Sequence, residues 1–279
     1  MQNEAKIRLF SFVVIFLVVA LAEIIFPRRK LMDSKARRWR HNLGLIFLDN
    51  LVIWLLLSGA TIAVAIAAEQ SQWGLLNYYH VSGFLAVIIG VLVLDLIIYL
   101  QHLMFHAVPL LWRLHMVHHT DLDIDVSSGL RFHPLEIIVS VWIKLAVIVA
   151  LGVPPTGVLM FEVLLNGTAL FNHGNLRLSE KTDRFLRRFL VTPDMHRVHH
   201  SVIIRETNSN FGFNLSWWDR LFGTYRPEPA AGHEQMVIGL STYRNARELT
   251  FSRLLKLPFS GNPGRYSLDH IGREPTTKK

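Results

Sequence analysis

No cysteine occurs among the 279 residues. Disulfides, thiolate-bound zinc and iron-sulfur clusters are therefore excluded. Charge is also scarce, at 18% of residues, and acids are outnumbered by lysine and arginine, 21 to 29. Apolar residues make up 51% of the chain and the mean hydropathy is positive, a composition of the membrane class organised as one integrated unit. The positive charge clusters beside apolar segments, which fits a membrane surface and not nucleic acid. Internal repeats and low-complexity tracts are absent.

The apolar runs set the topology. "LFSFVVIFLVVALAEIIF" (9–26) contains one charged residue, Glu23, and is long enough to cross a hydrocarbon core. The "ALA" at 20–22 also resembles a signal-peptide cleavage site, but a second apolar run follows at once, which favours a membrane helix. The segment 27–41 holds seven of the 29 basic residues and is expected to be a cytoplasmic loop. A second crossing is expected over 43–68. The next loop, 69–80, has no lysine or arginine and offers Trp73, Tyr78 and Tyr79 as interfacial anchors. A third crossing over 81–100 returns to the cytoplasm. Apolar stretches at 135–153 and 157–171, joined by "PPT", form a helical hairpin that either spans or re-enters, with Lys144 inside it. Residues from 172 onward carry seventeen lysines and arginines and belong on the cytoplasmic side, ending in a loosely held tail from about Asn262. The expected fold is an all-α integral membrane protein. It has four to five transmembrane or re-entrant helices and a cytoplasmic helical cap carrying a histidine-rich dimetal site. The expected divisions are an N-terminal helical pair (1–80), a catalytic domain (81–228) and a cytoplasmic tail (229–279).

Ten of the fourteen histidines fall into five groups: His102 and His106 in "HLMFH"; His115, His118 and His119 in "HMVHH"; His133 in "FHP"; His173 in "NHGN"; and His196, His199 and His200 in "HRVHH". Spacings of three and four put imidazoles on one helical face, so each box is expected to aim its rings at one point. Imidazole binds iron, zinc, copper or nickel. Ten rings exceed the needs of one ion and suit two metals with four or five ligands each, with carboxylate or water completing the shells. Asp95, Tyr99, His102 and His106 share one helical stripe, which makes Asp95 a candidate to support a histidine ring. His41, His80, His233 and His270 read as structural. Arg113, Arg131 and Arg197 read as a charged rim at the membrane surface, and "SWWDRLFG" (216–223) as an amphipathic interfacial element. On residue types alone, a zinc-dependent membrane hydrolase, a metal transporter and a metal-stabilised lipid-binding scaffold stay open beside an oxygenase.

The motifs "HLMFH", "HMVHH" and "HRVHH", with "RFHPLE", "FNHGN" and "NFGFNLSWWDRLFGTY", resemble the fatty acid hydroxylase and sterol desaturase superfamily over roughly residues 85–226. That resemblance implies a centre of two iron ions (Fe2+/Fe3+) that uses dioxygen and two external electrons to oxidise a C–H bond of a lipid. Hydroxylation is favoured over desaturation. It implies His102, His106, His115, His118, His119, His196, His199 and His200 as ligands, with His133 and His173 added. The expected partners are the bilayer, a lipid substrate and a separate electron donor (reductase, ferredoxin or cytochrome). The expected location is a bacterial inner membrane, or the endoplasmic reticulum in a eukaryote.

Overall fold

In the computed structural model, which describes residues 2–57 and 59–268, every regular element is helical and the only β-structure is three isolated bridges. The chain runs α1 (Gln2–Ile25), α2 (Lys35–Leu57), α3 (Ala60–Gln70), the short α4 (Leu75–Tyr78), α5 (Gly83–Ala107), α6 (Pro109–His119), α7 (Pro134–Leu151) and α8 (Pro155–Asn172). Short helices follow: α9 (Glu180–Leu186), α10 (Pro193–His199), α11 (Ile204–Thr207), α12 (Trp217–Leu221), α13 (Gly232–Gln235) and α14 (Phe251–Ser260). Among the described residues, four segments are long and apolar enough to cross a membrane: Glu4–Ile25, Lys35–Tyr78, Gly83–Ala107 and Pro134–Leu151. This is a multi-pass membrane architecture.

α1 presents Leu9, Phe10, Leu17, Val18, Leu21 and Ile24 outward and packs along α8. The one charge in its apolar run, Glu23, is turned inward. It accepts the backbone N–H of Val126 (2.6 Å) and of Asn175 (2.8 Å) and is paired with Lys35 (3.2 Å). A carboxylate in an apolar helix is thus satisfied by the two loops it joins.

The segment 27–41 is not the free loop expected. α2 begins at Lys35, about two turns before its apolar run, because Arg38 and Asn42 are buried against the loop that follows α6. The second expected crossing is interrupted near Gly59, which adopts φ +67° ahead of α3.

The hairpin of α7 and α8 turns at Gly152 (φ +73°), with Pro155 opening α8. A Cβ on Gly152 would lie 2.6 Å from the Trp73 carbonyl, so this turn is seated against the connection between α3 and α5. Both connections therefore lie at the end of the bundle opposite to His102, His106 and His173. The hairpin runs the same course as α5 and does not fold back halfway. α8 carries Glu162, which is paired with Arg8 of α1 at 2.5 Å.

The cap is built on α6. Trp112, Met116 and Val117 pack with Leu240, Tyr243, Leu249, Leu254, Leu257 and Tyr266. The segment from 229 to 268 is therefore part of the cap's core, and Tyr266, expected in a loose tail, is buried. Burying apolar side chains of this size contributes roughly 1.5–3 kcal/mol each, which outweighs the polar, glycine-containing character of the local sequence. His270 lies outside the described residues.

Candidate metal centre

α5, α6, the end of α8 and α10 converge at one end of the bundle. Pro109 and Pro193 open α6 and α10, and the Thr192 hydroxyl caps α10 by accepting the Met195 N–H. Nine of the ten candidate histidines meet there, all buried, in two groups. His102, His106, His115, His119 and His199 form one, and His118, His173, His196 and His200 form the other; within each, one nitrogen per ring lies within 4.8 Å of all the others. The groups adjoin, with the His119 and His200 ring centroids 4.7 Å apart.

Each His-x-x-His-His box is divided between the groups, a correction to the expectation that a box aims at one point. The i and i+4 rings, about 40° apart around a helix, go to one group. The i+3 ring, about 60° to the other side, goes to its neighbour. Thus His115 and His119 belong to the first group and His118 to the second, while His196 and His200 belong to the second and His199 to the first.

Fixed acceptors set the tautomers. Nδ1–H donates to a main-chain carbonyl in His102 (Phe211, 2.7 Å), His118 (Arg131, 3.3 Å), His173 (Ala169, 2.6 Å) and His199 (Ser209, 2.8 Å). His115 Nδ1 donates to Glu136 Oε1 (2.6 Å) and His106 Nδ1 to Asn208 Oδ1 (3.0 Å). The Nε2 lone pairs are left pointing inward. They face one another at 3.1 Å between His102 and His115 and between His118 and His173, and those of His106, His119 and His199 have no hydrogen-bond partner. Two acceptors at that separation share no proton, so a cation is what reconciles them. Burial, reinforced by the neighbouring rings, holds His118, His119, His196, His199 and His200 well below the usual imidazole range. Burial likewise lowers His115 to about 3 and His173 to about 4. Neutral imidazoles of this tautomer are the form that binds a metal. The donor set therefore fits two transition-metal ions with five and four nitrogen ligands.

His133 stands outside both groups. It caps α7, Nδ1 accepting the Leu135 N–H (3.2 Å) and Nε2–H donating to the Leu255 carbonyl (3.2 Å). Both nitrogens are occupied by backbone, so it has no lone pair free for a metal. Asp95 also departs from expectation. Its Oδ2 accepts from Trp218 Nε1 (2.8 Å) and the Leu215 N–H (3.2 Å), fastening the 211–224 loop and touching no histidine ring. Neither Arg131 nor Arg197 lies on a surface rim, since both are fully buried. Arg131 donates to the Val117 carbonyl, Asn42 and Thr120, each at 2.9 Å, and Arg197 is paired with Asp194. Arg113 donates to the Pro258 and Gly261 carbonyls, tying α6 to α14.

Several supporting residues were not singled out from the sequence. Glu136, inside the quoted "RFHPLE", orients His115, and an acid in the first turn after His-Pro was the available signal. Asn210 holds the His102 acceptor in place. It adopts φ +54° and its side chain bonds the Met195 carbonyl and both backbone groups of Arg226, while Asp219 accepts the Phe211 and Gly212 N–H groups. Around the first box, Arg38 bonds Asp121 (2.6 Å), Asp125 (2.6 Å) and Ser128 (2.9 Å). Burial raises the Asp121 carboxyl, but the adjacent Arg38 dominates and holds it well below the usual range.

Residues 87–224 match the family described as fatty acid hydroxylase. The chain is 27% identical over 270 residues to an ornithine lipid hydroxylase of Rhizobium tropici, covering 92% of this chain and 76% of that protein. It is 31% identical over 167 residues to an alkylglycerol monooxygenase of Homo sapiens, covering 57% of this chain and 32% of that protein. Against the alkylglycerol monooxygenase of Danio rerio it is 29% identical over 165 residues, covering 59% and 35%. The chain thus spans about three quarters of the bacterial relative's length and about a third of the two monooxygenases'. No solved structure matches.

Proposed function

We propose, starting from the fact that the chain belongs to the fatty acid hydroxylase family over residues 87–224, that it is a di-iron lipid hydroxylase. The chain is an oxidoreductase of lipid metabolism, as its hydroxylase and monooxygenase relatives are. The observation that carries the metal assignment is the inward-facing pair of Nε2 lone pairs on His118 and His173, 3.1 Å apart with both Nδ1 protons committed to carbonyls.

Two iron ions, when bound, supply the reduction of dioxygen and the oxidation of a C–H bond, for which lipid–H, O2, two electrons and two protons become lipid–OH and water. The residues of this chain supply the setting. His102, His106, His115, His119 and His199 would hold one ion, and His118, His173, His196 and His200 the other. Glu136, Asn208 and four backbone carbonyls fix six of the nine rings, His102, His106, His115, His118, His173 and His199, in the binding tautomer. Aromatic residues keep water out: the buried Trp112, Phe105 and Phe211 lie against the first group, and the half-buried Phe132 ring stacks on His118 at 4.5 Å. Because His102 and His106 end a membrane-spanning helix, an acyl or alkyl chain lying in the bilayer has the shortest path to the centre. The basic character of the chain after residue 172, against a 69–80 loop free of lysine and arginine, supports a cytoplasmic position for the cap. Electrons are proposed to come from a separate reductase, ferredoxin or cytochrome.

The test is comparative lipid mass spectrometry of aerobic cells carrying the wild type or His118→Ala, with metal analysis of the purified proteins. The expected result is a lipid gaining one oxygen atom only with the wild type, which holds iron. Redox-inert zinc together with an unchanged lipid profile would overturn the proposal in favour of a hydrolase or structural site.

A further inference from the structure

The face of the cap beside α5 carries large apolar side chains that no other described residue covers. Phe185, Phe189, Trp217, Leu221 and Phe222 are exposed by 58%, 47%, 44%, 70% and 49%. They come from two distant segments zipped into one surface. Leu190 bridges Leu215, the Ser216 N–H donates to the Phe189 carbonyl (3.2 Å), Trp217 Nε1 to the Arg188 carbonyl (2.8 Å), and Arg220 to the Arg187 carbonyl (3.0 Å). The Phe185 and Phe189 rings touch at 5.8 Å.

Three features identify the occupant. First, the patch is continuous with a membrane-spanning helix. Trp218 is bonded to Asp95 and the Phe222 ring stacks on Tyr99 at 5.3 Å, and both partners lie on α5, before His102 in the direction of the bilayer. Second, the exposed charge within these two segments is of one sign, the nearest exposed acids being Glu180 at the start of α9 and Glu228. Arg184, Arg188 and Arg220 are exposed, whereas the one acid in residues 184–190 and 215–222, Asp219, is buried and accepts backbone N–H groups. Third, aromatic rings flanked by arginine are the composition that settles at headgroup level, rings among the upper acyl carbons and guanidinium groups on phosphates.

We propose that residues 184–190 and 215–222 form an interfacial foot that seats the cap in the leaflet nearest the metal centre, with acidic phospholipid as its ligand. The foot fixes the height of the histidine cluster above the bilayer, and the reading is independent of the reaction catalysed.

Because the chain lacks cysteine, single cysteines can be introduced without background. Phe189→Cys and Leu221→Cys are labelled with an environment-sensitive fluorophore in full-length protein reconstituted into nanodiscs of phosphatidylcholine and phosphatidylglycerol. Val18→Cys, on the outward face of α1, serves as the immersed reference. The expected result is quenching by lipids brominated high on the acyl chain, at least about half that of the reference, with protection from aqueous iodide. Reversing Arg184 and Arg188 to Glu should weaken both effects. Iodide access without quenching by brominated lipid would overturn the proposal. So would protection that arises only when an acidic redox protein is added, since the face would then be a protein-docking surface.

Discussion

The Nε2 atoms of His118 and His173 lie 3.1 Å apart although both rings spend their only proton on a backbone carbonyl. Such a pair is repulsive until a cation lies between the lone pairs, and His196 and His200 complete the group. Since the five other rings form a separate group, the two ions should be separable by mutation. His173→Ala should lower bound metal from about two ions to about one while His102→Ala removes the other. Element analysis after purification checks this, and loss of both metals from either variant would show a single coupled site.

Glu136 accepts the Nδ1 proton of His115 at 2.6 Å. A carboxylate behind a ligating imidazole raises its basicity and fixes the ring. Glu136→Gln should preserve the fold and weaken metal retention in the five-histidine group about 10–100-fold. Competition with a calibrated chelator measures it, and an unchanged affinity would leave Glu136 without this role.

Arg38 is buried between Asp121 and Asp125. Arg38→Met strands two carboxylates without their cation and is expected to cost about 3–5 kcal/mol. Adding Asp121→Asn should recover part of that loss. Thermal unfolding in detergent tests both variants. Equal stabilities of the single and double variants would mean that the charge is not what holds this junction.

The metal-free protein should be acid-sensitive. Burial depresses the folded pKa of His173 to about 4 and of His115 to about 3, against an unfolded value near 6.5. For groups shifted in this direction the stability is fully present above the unfolded pKa and is lost as pH falls towards the folded values, because the unfolded chain takes up protons first. The melting temperature of the apo-protein should therefore hold above about pH 6.5 and decline between there and about pH 4. A flat profile across that interval would contradict the buried, neutral assignment.

A Cβ on Gly74 would lie 2.1 Å from the Gly152 backbone nitrogen, and Gly74 itself has φ +92°. Gly74→Ala must push the α3–α5 connection off the α7–α8 turn, at an expected cost of about 1–3 kcal/mol. Gly59→Ala, with positive φ and open space around it, should cost less. Thermal melts of the pair distinguish backbone strain from contact.

The histidine boxes were legible because helical spacing is a local property. Which ring joins which group was not, since that depends on how α6 and α10 face each other across the site. His133 looked equivalent to His173 in sequence, each a lone histidine beside an apolar helix. The structure separates them by what lies opposite: for His133, the Leu255 carbonyl from a segment more than a hundred residues away; for His173, the imidazoles of His118 and His196. Arg131 was read as surface charge and Arg38 fell in what was read as a basic cytoplasmic loop, because neither gives any local sign that Asp121 will meet Arg38 and Asn42 will meet Arg131.

Composition and periodicity alone determined that this chain crosses a membrane, is helical and gathers imidazoles on helix faces, since each follows from the chemistry of residues within a few turns of one another. Only the tertiary structure decided the division of nine rings into five and four, the exclusion of the tenth, and the burial of Arg38. Those outcomes are set by which lone pairs, carbonyls and carboxylates from remote segments are left facing each other when the apolar surfaces close.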